Sequence, residues 1–212
     1  MELRMAGILD RTQLLKGWFD RHPGQRTGEF SCLTDEDWMA TGRQFEKLET
    51  EEDFRKAAAD LRYRAESNFM EGPLRQALKA YLKASNENLP PDIGQLAGFL
   101  DPPADPSLLQ HYVMIAAGDS KSMVGMPIYA LNPQTAVVDD AYDRTMIGVG
   151  PGGFWSEGGN GSVAYLLDEM QARNAYRLAN SGMQPQTQEQ IAPYFHNPQF
   201  GAQFLAGLKT RK

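Results

Sequence analysis

The sequence predicts an α+β fold that is predominantly α. It predicts a helical array over about residues 6–112, then a small antiparallel sheet, a Gly-rich loop and C-terminal helices. In the first half, apolar residues recur at helical spacing, for example at Leu74, Leu78 and Leu82. After Tyr112 this spacing is lost, and short apolar runs with β-branched and aromatic residues favour strands.

The bulk composition is that of a globular protein. With 212 residues, 42% of them hydrophobic and 23% charged, the chain is long enough to bury a sizeable core. We expect a single compact domain over 1–212, with a possible subdivision into a helical part, 1–112, and a mixed part, 113–212. The net charge is −6 and the basic residues are scattered, which argues against a nucleic-acid partner.

The cysteine count and the hydropathy of the chain bear on the cellular compartment that we expect for the protein. Cys32 is the only cysteine, so the fold cannot depend on an internal disulfide. No apolar run approaches the ~20 residues that cross a bilayer, so we expect no integral membrane segment. The charged N-terminal stretch lacks the apolar centre of a signal peptide. We therefore expect a cytoplasmic protein, or an exported one whose targeting segment has been removed.

Start and stop signals divide the helical part. A first helix over 6–20 ends at His22-Pro23-Gly24. Thr34 is followed three residues later by an aspartate, and so is Thr50, and each pattern predicts an N-cap with a capping box. The helix after Thr50 extends to about Met70, and Gly72-Pro73 is expected to break it before the next helix.

The region 74–112 is predicted to be the nucleus of the fold. Its amphipathic helix from Leu74 stops at Pro90-Pro91, and two short helices follow from Asp92 and Asp105. Residues 80–96 are similar in rhythm to the stretch after the long helix of bacterial pseudopilins. The apolar N-terminal helix of that family is missing from this chain, so we infer no function from the resemblance.

The second half is predicted to contain strands at 112–116, 126–131 and 145–149, which need a helix to pack on. Ser162 is expected to cap another helix that ends near Ser181. Because free aromatic residues would expose a large apolar surface, we expect the C-terminal tail to dock on the body. Its aromatic residues are Tyr194, Phe195, Phe200 and Phe204.

A glycine-rich segment is the leading candidate for partner binding. Residues 148–161 contain seven glycines, and we interpret them as a long loop. Gly152 and Gly153 would supply a hinge, and Phe154 and Trp155 would contact a protein or peptide partner. The alternative is a surface loop with its aromatic residues on the core. A GxGxxG spelling is present, but no βαβ unit surrounds it, so nucleotide binding is disfavoured.

An acidic cluster is the second candidate. Asp139, Asp140 and Asp143 spell DDxxD, and carboxylates at this spacing on a helix face bind hard cations such as Mg²⁺. This pattern resembles the first aspartate-rich motif of enzymes that use prenyl diphosphates. The second acidic motif of those enzymes is missing here. The alternative is a polar turn in which an aspartate caps one helical turn and Arg144 pairs nearby.

The leading functional hypothesis is a non-enzymatic protein-interaction or regulatory module without a cofactor. It would bind a protein or peptide partner through the Gly-rich loop, and it is a possible homo-oligomer. The alternative is a divalent-metal-dependent enzyme, with Mg²⁺ as cofactor, that acts on a phosphorylated small molecule. A third hypothesis is a structural subunit of a larger assembly that docks through the aromatic tail. No nucleophile elbow and no His/Cys metal-ligand spacing is present to support a named reaction.

Overall fold

The fold class is α+β and predominantly α, as the sequence predicts. The structure is a computed structural model. The chain forms two compact units, one of residues Met1–Leu74 with Val137–Arg144 and one of Arg75–Ala136 with Thr145–Lys212. The prediction of a single domain stays a prediction. The described residues are 2–101, 103, 105–116, 118–120, 128–131, 138–139, 145–150, 153–158, 163–181, 183, 185–199, 201–202 and 205.

The first unit contains three α-helices that pack on one another. They are α1 (Glu2–Arg21), α2 (Asp35–Gln44) and α3 (Glu51–Phe69), and short 3₁₀ turns cover Pro23–Gln25 and Gly28–Cys32. Both predicted capping boxes are confirmed, because Thr34 and Thr50 each accept a hydrogen bond from the backbone of the aspartate three residues later.

The core of this unit is aromatic. The Trp18 and Phe19 rings meet edge to face, with their centroids 5.1 Å apart. Trp18 also stacks on Phe54, with 6.0 Å between centroids. This packing buries the apolar stripe of each helix, which is the main source of helix stability in a folded protein. The buried residues are Leu15, Trp18, Phe19, Leu48, Ala57, Ala58 and Leu61, and Phe30, Leu33, Trp38, Phe45 and Phe54 pack against them.

The crossing of α1 and α2 requires a glycine. A Cβ added to Gly42 would lie 2.8 Å from Thr12 Oγ1 and 3.2 Å from the Ile8 carbonyl oxygen. Arg11 Nε donates to the Gly42 carbonyl oxygen at 2.7 Å, which fastens the same crossing. The two backbones can therefore approach this closely because Gly42 has no side chain.

The predicted break at Gly72-Pro73 takes another form in the structure. Met70–Leu74 form a π-helical turn with Pro73 inside it. Proline lacks the N–H that an α-helix needs, and the wider turn accommodates this loss without ending the helical winding. The amphipathic helix follows as α4 (Arg75–Ala84), with Ala77 and Leu78 buried.

The second unit continues with two 3₁₀ helices, Ile93–Phe99 and Pro106–His111. The predicted helix starts at Asp92 and Asp105 are confirmed, and each aspartate caps its helix by accepting a hydrogen bond from the backbone N–H two residues later. The first of these helices packs on α4 and on the second helix. This agrees with the sequence prediction that region 74–112 packs on itself.

The described residues of the second unit form two antiparallel sheets. The smaller sheet pairs β1 (Asn88–Leu89) with β3 (Gly118–Asp119). The larger sheet has four strands in the order β2-β4-β5-β6. Its strands are β2 (Tyr112–Met114), β4 (Tyr129–Leu131), β5 (Thr145–Gly150) and β6 (Gly153–Gly158). Strands were predicted at the positions of β2, β4 and β5, whereas β6 was predicted as loop.

Helix α5 (Val163–Ala179) carries the C-terminal segment, in which Ala192–Tyr194 form a 3₁₀ turn. Ala172 forms a small buried cluster with Ile191 and Phe195, and the ring of Tyr194 meets that of Tyr176 with 5.6 Å between centroids. The predicted docking of the aromatic tail is confirmed for Tyr194 and Phe195. Phe200 and Phe204 lie outside the described residues.

Within the described part of the chain, no helix combines the length and the apolar character needed to cross a bilayer.

Candidate functional site

The glycine-rich segment contains a β-hairpin. β5 and β6 pair antiparallel over their full length, with Gly148 opposite Trp155 and Val149 opposite Phe154. Gly153, Phe154 and Trp155 are therefore strand residues, which differs from the predicted loop. Gly152 lies outside the described residues. The period-2 signal was weak here because Gly148 interrupts the apolar pattern of β5 and glycines form both ends of β6, and glycine is depleted in strands.

β6 is a terminal strand of the four-stranded sheet. Among the strands in the described ranges, β5 is its only neighbour, so its other edge has no strand partner there. Only Pro151 and Gly152 connect the paired residues Gly150 and Gly153. In a two-residue hairpin the closing pair is hydrogen bonded, and hydrogen-bonded and non-hydrogen-bonded pairs then alternate.

This alternation assigns directions to the backbone groups of β6. Gly153, Trp155 and Glu157 belong to the pairs that exchange hydrogen bonds with β5. Phe154 and Ser156 belong to the other pairs, so their N–H and C=O groups are directed away from β5. The hairpin thus presents a short row of backbone donors and acceptors at the edge of the sheet.

In the acidic cluster, Asp139 forms an ion pair within the first unit. Arg55 Nε lies 2.7 Å from Asp139 Oδ2, and Arg55 Nη2 lies 2.9 Å from Asp139 Oδ1, across 84 residues of sequence. The Asp139 residue is only 7% exposed. A bidentate guanidinium–carboxylate contact uses both carboxylate oxygens and is among the stronger charge-assisted hydrogen bonds.

This contact bears on the metal hypothesis. A cation bound by Asp139 would have to displace the Arg55 guanidinium or share a carboxylate with it. Asp140, Asp143 and the predicted pairing residue Arg144 lie outside the described residues. Among the residues that are described, no group of three or more His, Cys, Asp or Glu side chains is arranged to hold a metal ion.

A second buried carboxylate, Asp168 on α5, anchors the tail. Its Oδ1 accepts from the His196 backbone N–H at 2.8 Å, and its Oδ2 accepts from the Asn197 backbone N–H at 2.8 Å. His196 Nδ1 also lies 3.0 Å from Asp168 Oδ1, while the imidazole remains 70% exposed. Sequence reasoning missed this site, because its members are 28 residues apart and form no spaced motif.

A buried arginine marks the polar interior of the first unit. Arg62 on α3 is 1% exposed and donates to the Gln25 carbonyl oxygen at 3.3 Å and to Gln25 Oε1 at 3.0 Å. Glu29 and Glu66 are buried as well. Because Arg62 hydrogen bonds to the α1–α2 connection, we assign it a structural role.

The environment of Cys32 favours the protonated thiol. Burial raises the pKa of Cys32, and the negative charge of Glu29 raises it further, while a hydrogen bond with Ser31 lowers it in part. The thiolate is the nucleophilic form of cysteine, so a raised pKa leaves less of it at neutral pH. This environment does not activate Cys32 for nucleophilic catalysis.

The comparisons with known proteins add no relative. No protein-family model, no curated protein and no solved structure matches the chain.

Proposed function

We propose that the chain is a protein-interaction module that binds an extended segment of a protein or peptide partner along the edge of β6. One observation carries this proposal: β6 is a terminal strand, paired along its full length on one side, with no strand on its other side among the described residues. An extended peptide adds to such an edge through main-chain hydrogen bonds.

The composition of β6 supports the same use. Proteins protect exposed strand edges with lysine, proline or bulges, because an unprotected edge pairs with other chains. β6 reads Gly-Phe-Trp-Ser-Glu-Gly and has neither lysine nor proline, and Glu157 is its one charged residue. Its register with β5 is continuous over six residue pairs, without a bulge. An edge with these features favours pairing with an added strand.

The two aromatic positions would contribute unequally. Phe154 and Trp155 are consecutive on β6, and consecutive strand positions belong to opposite faces of a sheet. In the proposal, main-chain hydrogen bonds along the edge supply affinity. Specificity comes from whichever aromatic residue lies on the face of the sheet where the partner's side chains make contact. A single Phe154→Ala or Trp155→Ala change should therefore weaken binding to different degrees.

The proposal is tested with peptides selected from a displayed random library against the intact chain. Isothermal titration calorimetry then compares the selected peptide on the wild type and on Ser156→Pro. Proline removes the outward N–H of residue 156 and leaves the pairing with β5 intact, so it blocks strand addition. We expect binding to weaken by about tenfold or more, since at least one main-chain hydrogen bond is lost and the edge is obstructed.

Ser156→Ala is the matched control, because it removes the hydroxyl and keeps the backbone N–H. It should bind the peptide as the wild type does, and both variants should keep the melting temperature of the wild type to within a few degrees. Equal binding by Ser156→Pro and the wild type, or equal losses in both variants, would contradict strand addition at this edge.

The metal-dependent enzyme remains the alternative, with Asp139, Asp140 and Asp143 as ligands of Mg²⁺. It requires Asp139 to exchange its Arg55 contact for the cation. Thermal unfolding with and without millimolar Mg²⁺ or Mn²⁺ separates the two proposals, because a site filled at a hundredfold excess over Kd would add about 2.7 kcal/mol. A rise in melting temperature that Asp140→Asn removes would favour the enzyme.

A further inference from the structure

The outer face of α1 carries a shallow groove that the proposed function does not use. The groove has a volume of about 440 Å³ and is lined by Asp10, Gln13, Leu14, Gly17 and Arg21. Asp10, Gln13, Leu14 and Arg21 are exposed, and Leu14 keeps 49% of its surface accessible. An apolar side chain between two charged groups on one helix face is a suitable centre for a helix–helix contact.

The spacing of these residues is the same in both directions along the helix. Asp10, Leu14, Gly17 and Arg21 follow at intervals of four, three and four residues. An antiparallel copy of α1, related by a two-fold axis between residues 15 and 16, therefore places Asp10 opposite Arg21 of the copy. The same axis places Leu14 opposite Gly17 of the copy. A two-fold interface needs this kind of self-complementary surface.

The charges on this face are available for such pairing. Neither Asp10 nor Arg21 has an ion-pair partner among the residues that the structure describes. In the antiparallel arrangement each charge meets one opposite charge of the copy, which gives two Asp10–Arg21 pairs, one at each end of the contact. Opposite charges at both ends fix the orientation and register of two helices.

Gly17 supplies the depression that the partner would fill. The nearest atom to a Cβ built on Gly17 is Arg21 Nη1 at 3.6 Å. The space next to Gly17 is therefore open except for the end of this flexible side chain. A glycine at a helix crossing lets a large residue of the other helix approach the backbone. Leu14 of the copy has the size and position for this contact.

We propose that the chain forms a symmetric homodimer through α1, with Leu14 of each copy against Gly17 of the other and two Asp10–Arg21 ion pairs between the copies. Sedimentation velocity over a concentration series tests this directly. The wild type should change from a 23.6 kDa monomer to a species of twice that mass as its concentration rises. A chain that stays monomeric up to several hundred micromolar overturns the proposal.

Charge reversal tests the pairing itself. Asp10→Arg and Arg21→Asp each place like charges opposite one another at both ends, and each should weaken self-association by about tenfold or more. An equimolar mixture of the two variants restores opposite charges across the contact and should form a heterodimer. Single variants that dimerise as the wild type does, or a mixture that stays monomeric, would overturn this arrangement.

Gly17→Leu provides a variant that keeps the fold. A Cβ there is in ordinary contact with the end of the flexible Arg21 side chain, and leucine is a better helix former than glycine. The variant should melt no lower than the wild type and should be monomeric where the wild type is a dimer. If Gly17→Leu still dimerises, the contact between Leu14 and Gly17 is wrong.

Discussion

Two regions of the molecule are held together by different kinds of contact. At the starts of α2 and α3, the backbone N–H groups of Thr34 and Thr50 each donate a hydrogen bond to the side chain of the aspartate three residues later. The C-terminal tail is instead held on α5 by Asp168, which is 28 residues from His196. The first kind of contact is local and is repeated in the sequence as a pattern. The second depends on the fold that brings its members together.

The difference explains which features sequence patterns identify. A local cap fixes a few backbone angles and contributes about 1 kcal/mol, and it forms wherever the residue types are right. A long-range anchor satisfies several polar groups at once, and its loss leaves part-buried donors without their acceptor. We therefore expect long-range contacts to dominate the free energy of unfolding, although local contacts are the ones that the sequence displays.

Asp168→Ala should produce the largest effect. It removes the acceptor of the His196 and Asn197 backbone N–H groups, and unsatisfied donors of this kind cost about 1–3 kcal/mol. We expect the free energy of unfolding of the second unit to fall by about 3 kcal/mol, measured by urea denaturation. Asp168→Asn keeps one acceptor oxygen and should lose less. Equal losses in both variants would contradict the anchoring role.

Gly42→Ala should come next. The added Cβ would lie 2.8 Å from Thr12 Oγ1 and 3.2 Å from a backbone oxygen that has little room to move. Overpacking of this kind costs about 1–3 kcal/mol, which we expect as a lower free energy of unfolding in urea. Gly17→Ala is the matched control, because its Cβ has room and alanine favours the helix by about 1 kcal/mol. Stabilisation by both changes would show that α1 and α2 do not cross so closely.

Thr34→Ala should have a smaller effect. The change removes the side-chain acceptor of the Asp37 backbone N–H and the hydroxyl that donates to Asp37 Oδ2 at 2.7 Å. We expect a loss of about 1 kcal/mol in the free energy of unfolding, with Thr34→Ser close to the wild type. A loss as large as that of Asp168→Ala would contradict the distinction between local and long-range contacts.

The smallest effect concerns pH. Burial alone would raise the pKa of Asp37, but hydrogen bonds from Thr34 and Asn68 and the charge of Arg64 outweigh it and hold the pKa below its usual value. A lowered folded-state pKa adds stability that is present above the unfolded value of about 3.9 and is lost as pH falls through the folded value. In urea titrations, Asp37→Asn should reduce the dependence of stability on pH below about 4.

The sequence predicted much of the fold and little of the contacts that hold it. Helical periodicity and the caps at Thr34, Thr50 and Asp105 each depend on residues a few positions apart, so one window of sequence contains the whole signal. The Arg55–Asp139 ion pair joins residues 84 apart, and no local pattern encodes it. β6 was missed because its hairpin depends on a pairing register that glycine-rich segments specify weakly.

The segment of the proposed binding residues has a different secondary structure from the predicted one. Phe154 and Trp155 were expected in a loop, and they occupy consecutive positions of an edge strand. In a loop, the aromatic side chains would make the contact with a partner. At a strand edge, main-chain hydrogen bonds make it, so the proposed function depends on Ser156 as well as on the aromatic residues.

The most direct test of strand addition is amide hydrogen exchange along β6, measured by NMR with and without a selected peptide. In the free chain, the N–H groups of Gly153, Trp155 and Glu157 should exchange slowly, because they pair with β5, and those of Phe154 and Ser156 should exchange quickly. Saturation with the peptide should slow exchange at Phe154 and Ser156. Unchanged exchange at both residues, while the peptide is bound, would contradict the proposed function.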